Sequence, residues 1–507
     1  MRKSTLALAL LSAAASLQAA DTVPPNILLI LADDMGLDSV SAFNDKMGMK
    51  TPAIDRLASE GMSFTDAHST SGVCTPTRYS VLTGRYNWRS RLKRGIVGPW
   101  ERPLIADQRL TLPEMLREHG YDTACIGKWH LGWRWPKQGG GFTERLAEID
   151  FTAAVKGGPN DHGFDYYFGD DVPNWPPYVW RENERLLGEI TTRMKAGAMV
   201  GVSAGPAVAD WDFRAVLAEY AQRCAQYVRG RAQQKQPFFL YFPMPSPHTP
   251  IAPHEAFRGK TGVSEYADFL VQTDSAVGEL LRALKETGQE DNTLVIFTCD
   301  NGTSPKANFA ELDAAGVHLN EHWRGWKADA YEGGHRVPFI VRWPGQIESG
   351  AKCAQTITLA DIMATCAAVV GHKLPDAAAE DSVSLLPTLR GNNAFEPLHE
   401  VVVHHSVSGH FAVRKGKWKL LLCRGSGGWS PPREPAAVKQ GLPPLQLYNL
   451  HDDPKETANL QADHPEVVAQ MTADLRRIVE QGRSTPGPKQ ANHAGATWWP
   501  GLPWEKP

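Results

Sequence analysis

The stretch NILLILA, residues Asn26–Ala32, is a continuous apolar run that is followed at once by Asp33 and Asp34. Such runs are typical of strands that are buried on both faces, as in sheets covered by helices. In open α/β sheets, ligands bind outside the carboxyl ends of the strands, which is where these two acidic residues fall. The stretch therefore predicts a central strand of an α/β fold. It also predicts that the ligand-binding site lies at the sheet edge where this strand ends.

Further runs of the same kind occur along the chain, separated by segments with helical apolar spacing. They are TACIG (Thr123–Gly127), FFLYF (Phe238–Phe242) and TLVIFTC (Thr293–Cys299). In LTLPEMLREHG, Pro113 suits the start of a helix and Gly120 its end. Because strands alternate with helices, we predict an α/β fold.

Polar side chains follow each of these runs. Lys128 and His130 follow the second run in GKWHLG, His248 follows the third, and Asp300 and Asn301 follow the fourth. Since parallel strands bring their carboxyl ends to one edge of a sheet, we expect these groups to converge. Lysine and histidine there suit an anionic substrate, although either residue alone more often lies on the surface.

The acidic and amide groups at this edge offer hard oxygen ligands: Asp33, Asp34, Asp300 and Asn301. Three carboxylates in one cleft repel one another unless a cation neutralises them. All-oxygen ligation favours Ca²⁺ or Mg²⁺ over zinc. The alternative is that Asp33 or Asp34 caps the next helix.

A cysteine stands beside a proline and an arginine in SGVCTPTRYSVLTGR, residues 71–85. With Thr75 as cap and Pro76 at the first helical position, Cys74 lies at a helix N-terminus, where anions bind and a thiol has a lowered pKa. Arg78 lies one turn further on. The alternative is a buried structural cysteine. A cysteine phosphatase is excluded, because the three residues between Cys74 and Arg78 are too few for its phosphate loop.

Composition restricts the possible functions. The chain has 507 residues, which suggests two domains or one large domain with an appendage, and a net charge of −3, which gives no sign of nucleic-acid binding. Seven cysteines leave at least one without an intramolecular partner, and Cys353 and Cys366 could pair.

The N-terminus has the pattern of a secretory signal peptide, with Arg2 and Lys3 before an apolar run and Ala19-Ala20 at the cleavage site. The run is too short for a membrane anchor, and no later segment spans a membrane. We therefore predict a signal peptide over 1–20 and a protein exported to the periplasm or outside the cell. A catalytic domain follows over 21–395, and a smaller α+β domain over 396–507, where short strands broken by glycine predict an antiparallel meander.

An ordered set of motifs resembles the formylglycine-dependent type I sulfatases of the alkaline phosphatase superfamily. The motifs, in chain order, are ILADDMG, CTPTR, LTGR, GKWHLG, PHTP, CDNG, RGWKADAYEGGHRVPFIVRWPG and LYNLHDDPKETANL. The resemblance runs from about residue 26 to the end. It implies an alkaline phosphatase-like sandwich with a large mixed, mostly parallel sheet flanked by helices, and a C-terminal subdomain with an antiparallel sheet.

The resemblance also implies a modified residue and a metal. Cys74 would be oxidised to formylglycine by a formylglycine-generating enzyme. One Ca²⁺ would be bound by Asp33, Asp34, Asp300, Asn301 and the modified Cys74. The sulfate and the formylglycine would be surrounded by Arg78, Lys128, His130, His248 and Lys327.

By the same resemblance, the hydrated aldehyde would attack sulfur with help from Asp300. His248, beside Lys327, would protonate the leaving oxygen, and His130 would take the proton whose loss expels sulfate.

The substrate is the least determined part of this prediction. Similarity to bacterial carbohydrate sulfatases suggests a 6-sulfated galactose or N-acetylgalactosamine sugar. Candidate substrate residues are Asp171, Trp175, His318, His322 and Arg324, and further rim aromatics are Trp133, Trp135, Tyr178 and Trp180. Two alternatives are a phosphoesterase or phosphonate hydrolase on the same scaffold and a non-catalytic binder of sulfated glycans. Intact CTPTR and GKWHLG motifs speak against both.

Overall fold

The computed structural model of the protein describes residues 24–392 and 396–493, together with positions 499, 502 and 504. The predicted signal peptide, residues 1–20, lies outside the described residues. The predicted domain boundary at 395/396 adjoins a gap in them and stays a prediction. In the described ranges, no helix is both long enough and apolar enough to cross a bilayer.

Strands and α-helices are interspersed through the first three quarters of the chain, and residues 122–207 contain strands with no α-helix between them. The strands are β1 (Asn26–Ala32), β2 (Met62–Phe64), β3 (Ala67–His68), β4 (Asp122–Lys128), β5 (Trp135–Pro136), β6 (Phe142–Thr143), β7 (Tyr166–Asp170), β8 (Trp180–Glu182), β9 (Arg185–Leu187), β10 (Thr192–Met194), β11 (Gly205–Ala207), β12 (Phe238–Pro243), β13 (Thr293–Cys299), β14 (Phe339–Arg342), β15 (Ala351–Cys353), β16 (Ile357–Thr358), β17 (Val402–His405), β18 (Phe411–Lys415), β19 (Trp418–Leu421) and β20 (Gln446–Asn449). The α-helices are α1 (Pro52–Glu60), α2 (Cys74–Thr83), α3 (Leu112–Glu118), α4 (Val216–Gly230), α5 (Glu265–Glu286), α6 (Phe309–Ala314), α7 (Glu332–His335), α8 (Asp361–Val369), α9 (Leu386–Leu389), α10 (Glu434–Lys439) and α11 (Pro465–Gln481). Short 3₁₀ turns occupy Leu37–Ser39, Asn87–Arg89, Leu146–Glu148, Pro159–His162, Glu290–Asn292 and Pro305–Ala307.

A ten-stranded sheet forms the centre of the fold, in the order β15-β2-β14-β13-β1-β12-β4-β7-β8-β9. The five strands from β13 to β7 are parallel, and antiparallel pairs flank them on both sides. The four apolar runs are the adjacent central strands β13, β1, β12 and β4, and they are fully buried apart from the first residue of β4. The predicted α/β fold with a mixed, mostly parallel sheet is confirmed.

Local sequence explains where the helices begin. Thr111 caps α3 in a reciprocal capping box with Glu114, and Ser264 caps α5 by accepting a hydrogen bond from the N–H of Ala267. Helices α1, α4 and α5 pack together, and α2, α3 and α8 form a second group, with β4 touching both.

The C-terminal part contains the predicted antiparallel sheet, in the order β17-β18-β19-β20, with α11 packed on β18. Its apolar core includes Tyr86 and Trp88 from the segment after α2. The N–H of Gly72 donates to the carbonyl of His405 at 3.0 Å, so this sheet touches the chain two residues before Cys74. All seven cysteines are free, so Cys353 and Cys366 do not form a disulfide.

Gly127 fixes the distance between β4 and β12 just before Lys128. Its φ is +138°, and a Cβ atom there would lie 2.1 Å from the carbonyl oxygen of Pro243. We expect Gly127→Ala to lower the free energy of unfolding by about 3 kcal/mol or more, since backbone strain adds to a clash with backbone that cannot move aside. Urea denaturation followed by circular dichroism measures this change.

Gly120→Ala is the matched control. Gly120 has φ +80°, but a Cβ atom there would meet nothing within 4 Å. Only the backbone conformation is then penalised, by roughly 1 kcal/mol. Equal losses for the two variants would contradict the proposed clash.

Candidate active site

Cys74 is the first residue of α2 and is 2% exposed. The residue before it, Val73, has extended backbone and is the N-cap, with no side-chain capping bond. Thr75 is therefore not the cap that the sequence suggested; its hydroxyl accepts a hydrogen bond from the N–H of Val97 at 3.2 Å. The expected position of Cys74 at the helix start is nevertheless the one observed.

The prediction of a lowered thiol pKa is wrong. Burial raises the pKa of Cys74 to about 12, although Lys128 and Lys327 act in the opposite direction. The helix start and two cations do not offset the loss of water around a thiolate. As an unmodified thiol, Cys74 is uncharged at neutral pH and is therefore a weak nucleophile.

Two groups of opposite charge contact the Cys74 sulfur. The Lys327 ammonium donates to Sγ at 3.6 Å, and the thiol donates to Asp33 Oδ1, also at 3.6 Å. Lys327 also pairs with Asp34 Oδ1 at 2.6 Å. An atom replacing this sulfur would therefore lie between a cation and a carboxylate.

Arg78 is fully buried and oriented by several bonds before any substrate is present. Its Nε and Nη2 donate to Asp300 Oδ2 at 3.0 and 2.7 Å, and its Nη1 donates to the carbonyl of Lys128 at 3.2 Å. Lys128 in turn pairs with Asp33 Oδ2 at 2.6 Å. Arg78 is thus tied to the ends of β4 and β13.

The buried carboxylates respond differently to this environment. Burial opposes ionisation of Asp33, but attraction from Lys128, Arg78 and Lys327 holds the pKa of this carboxyl well below its usual range. Burial and repulsion from Asp33 raise the pKa of Asp300 to about 6. Asp33 is therefore firmly ionised, whereas Asp300 exchanges a proton more readily near neutral pH.

Several side chains at this edge could hold a metal ion. One ligand atom from each of Asp33, Asp34, Cys74 and His248 lies within 4.8 Å of the others. Asn301 adjoins the group, since its Nδ2 donates to Asp34 Oδ1 at 2.7 Å. Its Oδ1 is buried without a hydrogen-bond partner. An orphaned amide oxygen next to buried carboxylates fits an oxygen-ligated divalent cation.

Backbone strain is concentrated at the site. Among the described residues, seven other than glycine have positive φ, and Asp34, His130 and Ala328 are three of them. Each adjoins or belongs to the charged cluster around Cys74. Such conformations cost about 1–3 kcal/mol each and persist where the surrounding structure fixes them.

The two histidines present different ring nitrogens. His130 Nε2 lies 3.2 Å from the carbonyl of Val97, and its Nδ1 is buried without a partner. His248 Nδ1 lies 2.6 Å from the carbonyl of Thr249, and its Nε2 is 3.9 Å from Asp34 Oδ2. Burial lowers the pKa of both rings, that of His248 to about 4, so both are neutral in the free protein.

A cavity of about 250 Å³ opens above Cys74. It is smaller than the roughly 300–1,000 Å³ typical of drug-sized ligands, so it fits a single sugar ring. Its lining residues come from both parts of the chain and are Asp34, Val73, Cys74, Ile96, His130, Val172, Asn174, Trp175, Gly201, His248, Thr249, Ser304, Lys306, Lys327, Val407 and Trp429.

Of the suggested substrate residues, Trp175 lines this cavity and the others do not. Asp171 is buried behind it, where its Oδ1 accepts from the N–H of His130 at 3.2 Å. His318 pairs with Asp313, and His322 pairs with Asp38. Arg324 lies over the Tyr331 ring, 4.0 Å from its centroid.

The other aromatic residues suggested for the rim belong mainly to the core. Trp133, Trp135 and Tyr178 are at most 1% exposed, and Trp180 packs against Trp211. Lys306 and Trp429, which no sequence pattern singled out, also line the cavity and come from distant parts of the chain. The only sequence signal for Trp429 is a large aromatic residue in the glycine- and serine-rich loop GSGGWS.

Comparison with known proteins identifies the class. The Sulfatase family model matches residues 25–372, and the model described as N-sulphoglucosamine sulphohydrolase, C-terminal, matches residues 321–426. This chain belongs to the sulfatase family, and its reaction is the hydrolysis of sulfuric esters.

Individual relatives agree with this assignment. An N-acetylgalactosamine-6-O-sulfatase of Bacteroides thetaiotaomicron is 32% identical, with 90% of this chain and 93% of the relative covered. Arylsulfatase A of Bos taurus is also 32% identical, over 94% of this chain and 90% of the relative. A solved B. thetaiotaomicron sulfatase from work on the metabolism of multiple glycosaminoglycans has a TM-score of 0.77 and 30% identity, and the match covers 90% of this chain and 99% of that one.

Proposed function

We propose that this sulfatase removes the 6-sulfate from a galactose- or N-acetylgalactosamine-type sugar, with a nucleophile made from Cys74. The observation that carries the proposal is the position of Cys74 at the floor of a cavity for one sugar ring, in contact with Lys327 and Asp33. The relative that acts on N-acetylgalactosamine 6-sulfate supports the choice of sugar.

The reaction needs a better nucleophile than a buried, uncharged thiol. We propose that a formylglycine-generating enzyme uses a two-electron oxidant to convert the Cys74 CH₂–SH group to an aldehyde, with the C–S bond broken and the sulfur released as sulfide. When hydrated, the aldehyde supplies an oxygen nucleophile and a second hydroxyl for release of sulfate. Asp300 is suited to take a proton from the nucleophile, since its carboxylate is fully buried beside Cys74. Arg78 and Lys128, already fixed by carboxylates, stabilise charge on the sulfate oxygens.

We propose that the free ring nitrogens of His248 and His130 carry the remaining proton transfers. His248 uses Nδ1 for the Thr249 carbonyl, so Nε2 is the atom that delivers a proton to the leaving sugar oxygen. A bound sulfate ester next to His248 and Lys327 raises the pKa of that ring above its value in the free protein. His130 Nδ1 has no hydrogen-bond partner among the described residues. This atom accepts the proton of the second hydroxyl, and loss of that proton releases sulfate.

We propose Ca²⁺ as the metal. Asp33, Asp34, Asp300 and Asn301 would hold it together with an oxygen of the modified Cys74, and an all-oxygen set of this kind suits Ca²⁺. When bound, the ion supplies positive charge that stabilises the sulfate oxygens as the ester bond breaks.

The modification can be measured directly on exported protein produced with a maturation enzyme. We expect mass spectrometry of the peptide that spans Cys74 to show an aldehyde in place of the thiol, and Cys74→Ala to lower kcat/KM by roughly 10³-fold or more. Cys353→Ala, in edge strand β15, is the matched control and should retain activity. An unmodified thiol in fully active protein would disprove the proposal. Mass spectrometry of the N-terminal peptide of the same protein shows whether the mature chain begins after residue 20, as the proposed export requires.

Removal of the metal tests the proposed ligands. Dialysis against a strong chelator should abolish turnover and lower the melting temperature, because the folded state loses an ion that binds it and not the unfolded chain. Added Ca²⁺ should restore both, and Asn301→Ala should raise the Ca²⁺ concentration needed. The exposed Asn392→Ala is the control. Full activity in excess chelator, or rescue by Zn²⁺ but not Ca²⁺, would refute the assignment.

A panel of sulfated sugars tests the substrate. We expect 6-sulfated galactose and N-acetylgalactosamine to be hydrolysed with kcat/KM at least about tenfold above that of 6-sulfated N-acetylglucosamine and 4-sulfated N-acetylgalactosamine. Sulfate release is measured by ion chromatography. The matched 6-phosphate esters distinguish a phosphoesterase. Preference for a phosphate ester, or for sulfate at another position, would overturn the proposed substrate.

A further inference from the structure

The cavity contains two tryptophans whose rings differ in their surroundings. Trp175 packs edge-to-face on His130, with ring centroids 5.4 Å apart and an interplanar angle of 84°. Trp429 is 38% exposed, and its ring makes no aromatic or cation–π contact within the described ranges. Because Trp429 lines the cavity and is partly exposed, its ring is available to contact a substrate.

The exposure of Trp429 does not come from a loose loop. Its backbone N–H donates to Asp329 Oδ1 at 2.7 Å, and the N–H of Ser430 donates to the same oxygen at 3.1 Å. Arg433 Nε donates to the carbonyl of Trp429 at 2.9 Å. Because Asp329 is fully buried, its hydrogen bonds hold the backbone of Trp429 in a fixed position.

The same carboxylate also holds the loop that carries Lys327. Asp329 Oδ2 accepts from the N–H of Trp326 at 3.0 Å. The two loops are also joined by backbone, since the N–H of Ala330 donates to the carbonyl of Ser426 at 2.8 Å. Asp329 therefore sets the position of Trp429 relative to Lys327, the cation that touches Cys74.

We propose that Trp429 is the wall on which the sugar ring of the substrate stacks, and that Asp329 is the positioning residue that aligns this wall with Lys327. This inference rests on the proposed function and deepens it. Galactose-type sugars have an axial O4, so their C–H groups at positions 3, 4 and 5 form one apolar face. Glucose-type sugars have an equatorial O4 and divide these C–H groups between both faces. The negative face of an indole attracts the continuous C–H patch, so Trp429 favours galactose-type sugars.

The test compares Trp429→Ala, Trp429→Phe and the control Phe142→Ala, which removes an aromatic ring that is 57% exposed and does not line the cavity. We expect Trp429→Ala to raise KM for the 6-sulfated galactose-type sugar roughly tenfold with little change in kcat, and to reduce the preference over the glucose-type sugar. Trp429→Phe should keep most of the affinity, and Phe142→Ala should match the wild-type enzyme. Unchanged KM and unchanged sugar preference in Trp429→Ala would overturn the inference.

Asp329→Asn tests the positioning role. The variant should lower kcat as well as raise KM, since it disturbs both the Lys327 loop and Trp429, while thermal melting confirms that the protein is folded. A change in KM alone would show that Asp329 does not align Trp429 with Lys327. Failure of the proposed substrate is distinguishable: if the wild-type enzyme prefers another sulfated sugar, Trp429→Ala is measured on that sugar. A raised KM there supports the stacking wall, and an unchanged KM refutes it.

Discussion

The active site depends on a buried balance of charge between three carboxylates and three cations. Asp300 binds Arg78, Asp33 binds Lys128, and Asp34 binds Lys327, each pair at 2.6–2.7 Å between its closest atoms. Any of these ions alone would be too costly to bury, since several kcal/mol of hydration are lost per ion. The fold makes the balance possible, because adjacent strands end at one edge and deliver both signs of charge there.

The C-terminal sheet takes part in this arrangement. His405 at the end of β17 accepts from Gly72, and the N–H of Val407 donates to the carbonyl of Ala328 at 3.0 Å. These two hydrogen bonds attach the C-terminal part to the segment before Cys74 and to the loop that carries Lys327. The C-terminal part therefore helps to hold the candidate active site in place, and its loop residues Val407 and Trp429 line the cavity.

The sequence was sufficient for the four central strands β13, β1, β12 and β4 and for the groups that converge at their ends, but not for the six other strands of the large sheet. An apolar run such as Asn26–Ala32 indicates a strand that is buried on both faces. A side chain directly after such a strand lies at the edge of the sheet, because the strand fixes its position. The thiol pKa of Cys74 was mispredicted because it depends on how completely tertiary packing removes water. Trp429 was missed for a similar reason: its place at the cavity follows from bonds to Asp329, 100 residues away along the chain.

The burial of Cys74 has a consequence for the order of events in the life of the chain. At 2% exposure, the side chain is out of reach of a second protein once α2 has packed. An enzyme that modifies this residue must therefore act while the segment is still extended, and it competes in time with folding. Under the proposed modification, a chain that folds first would keep a buried, unmodified thiol and would be inactive, so the active fraction of a preparation would depend on how early the enzyme acts.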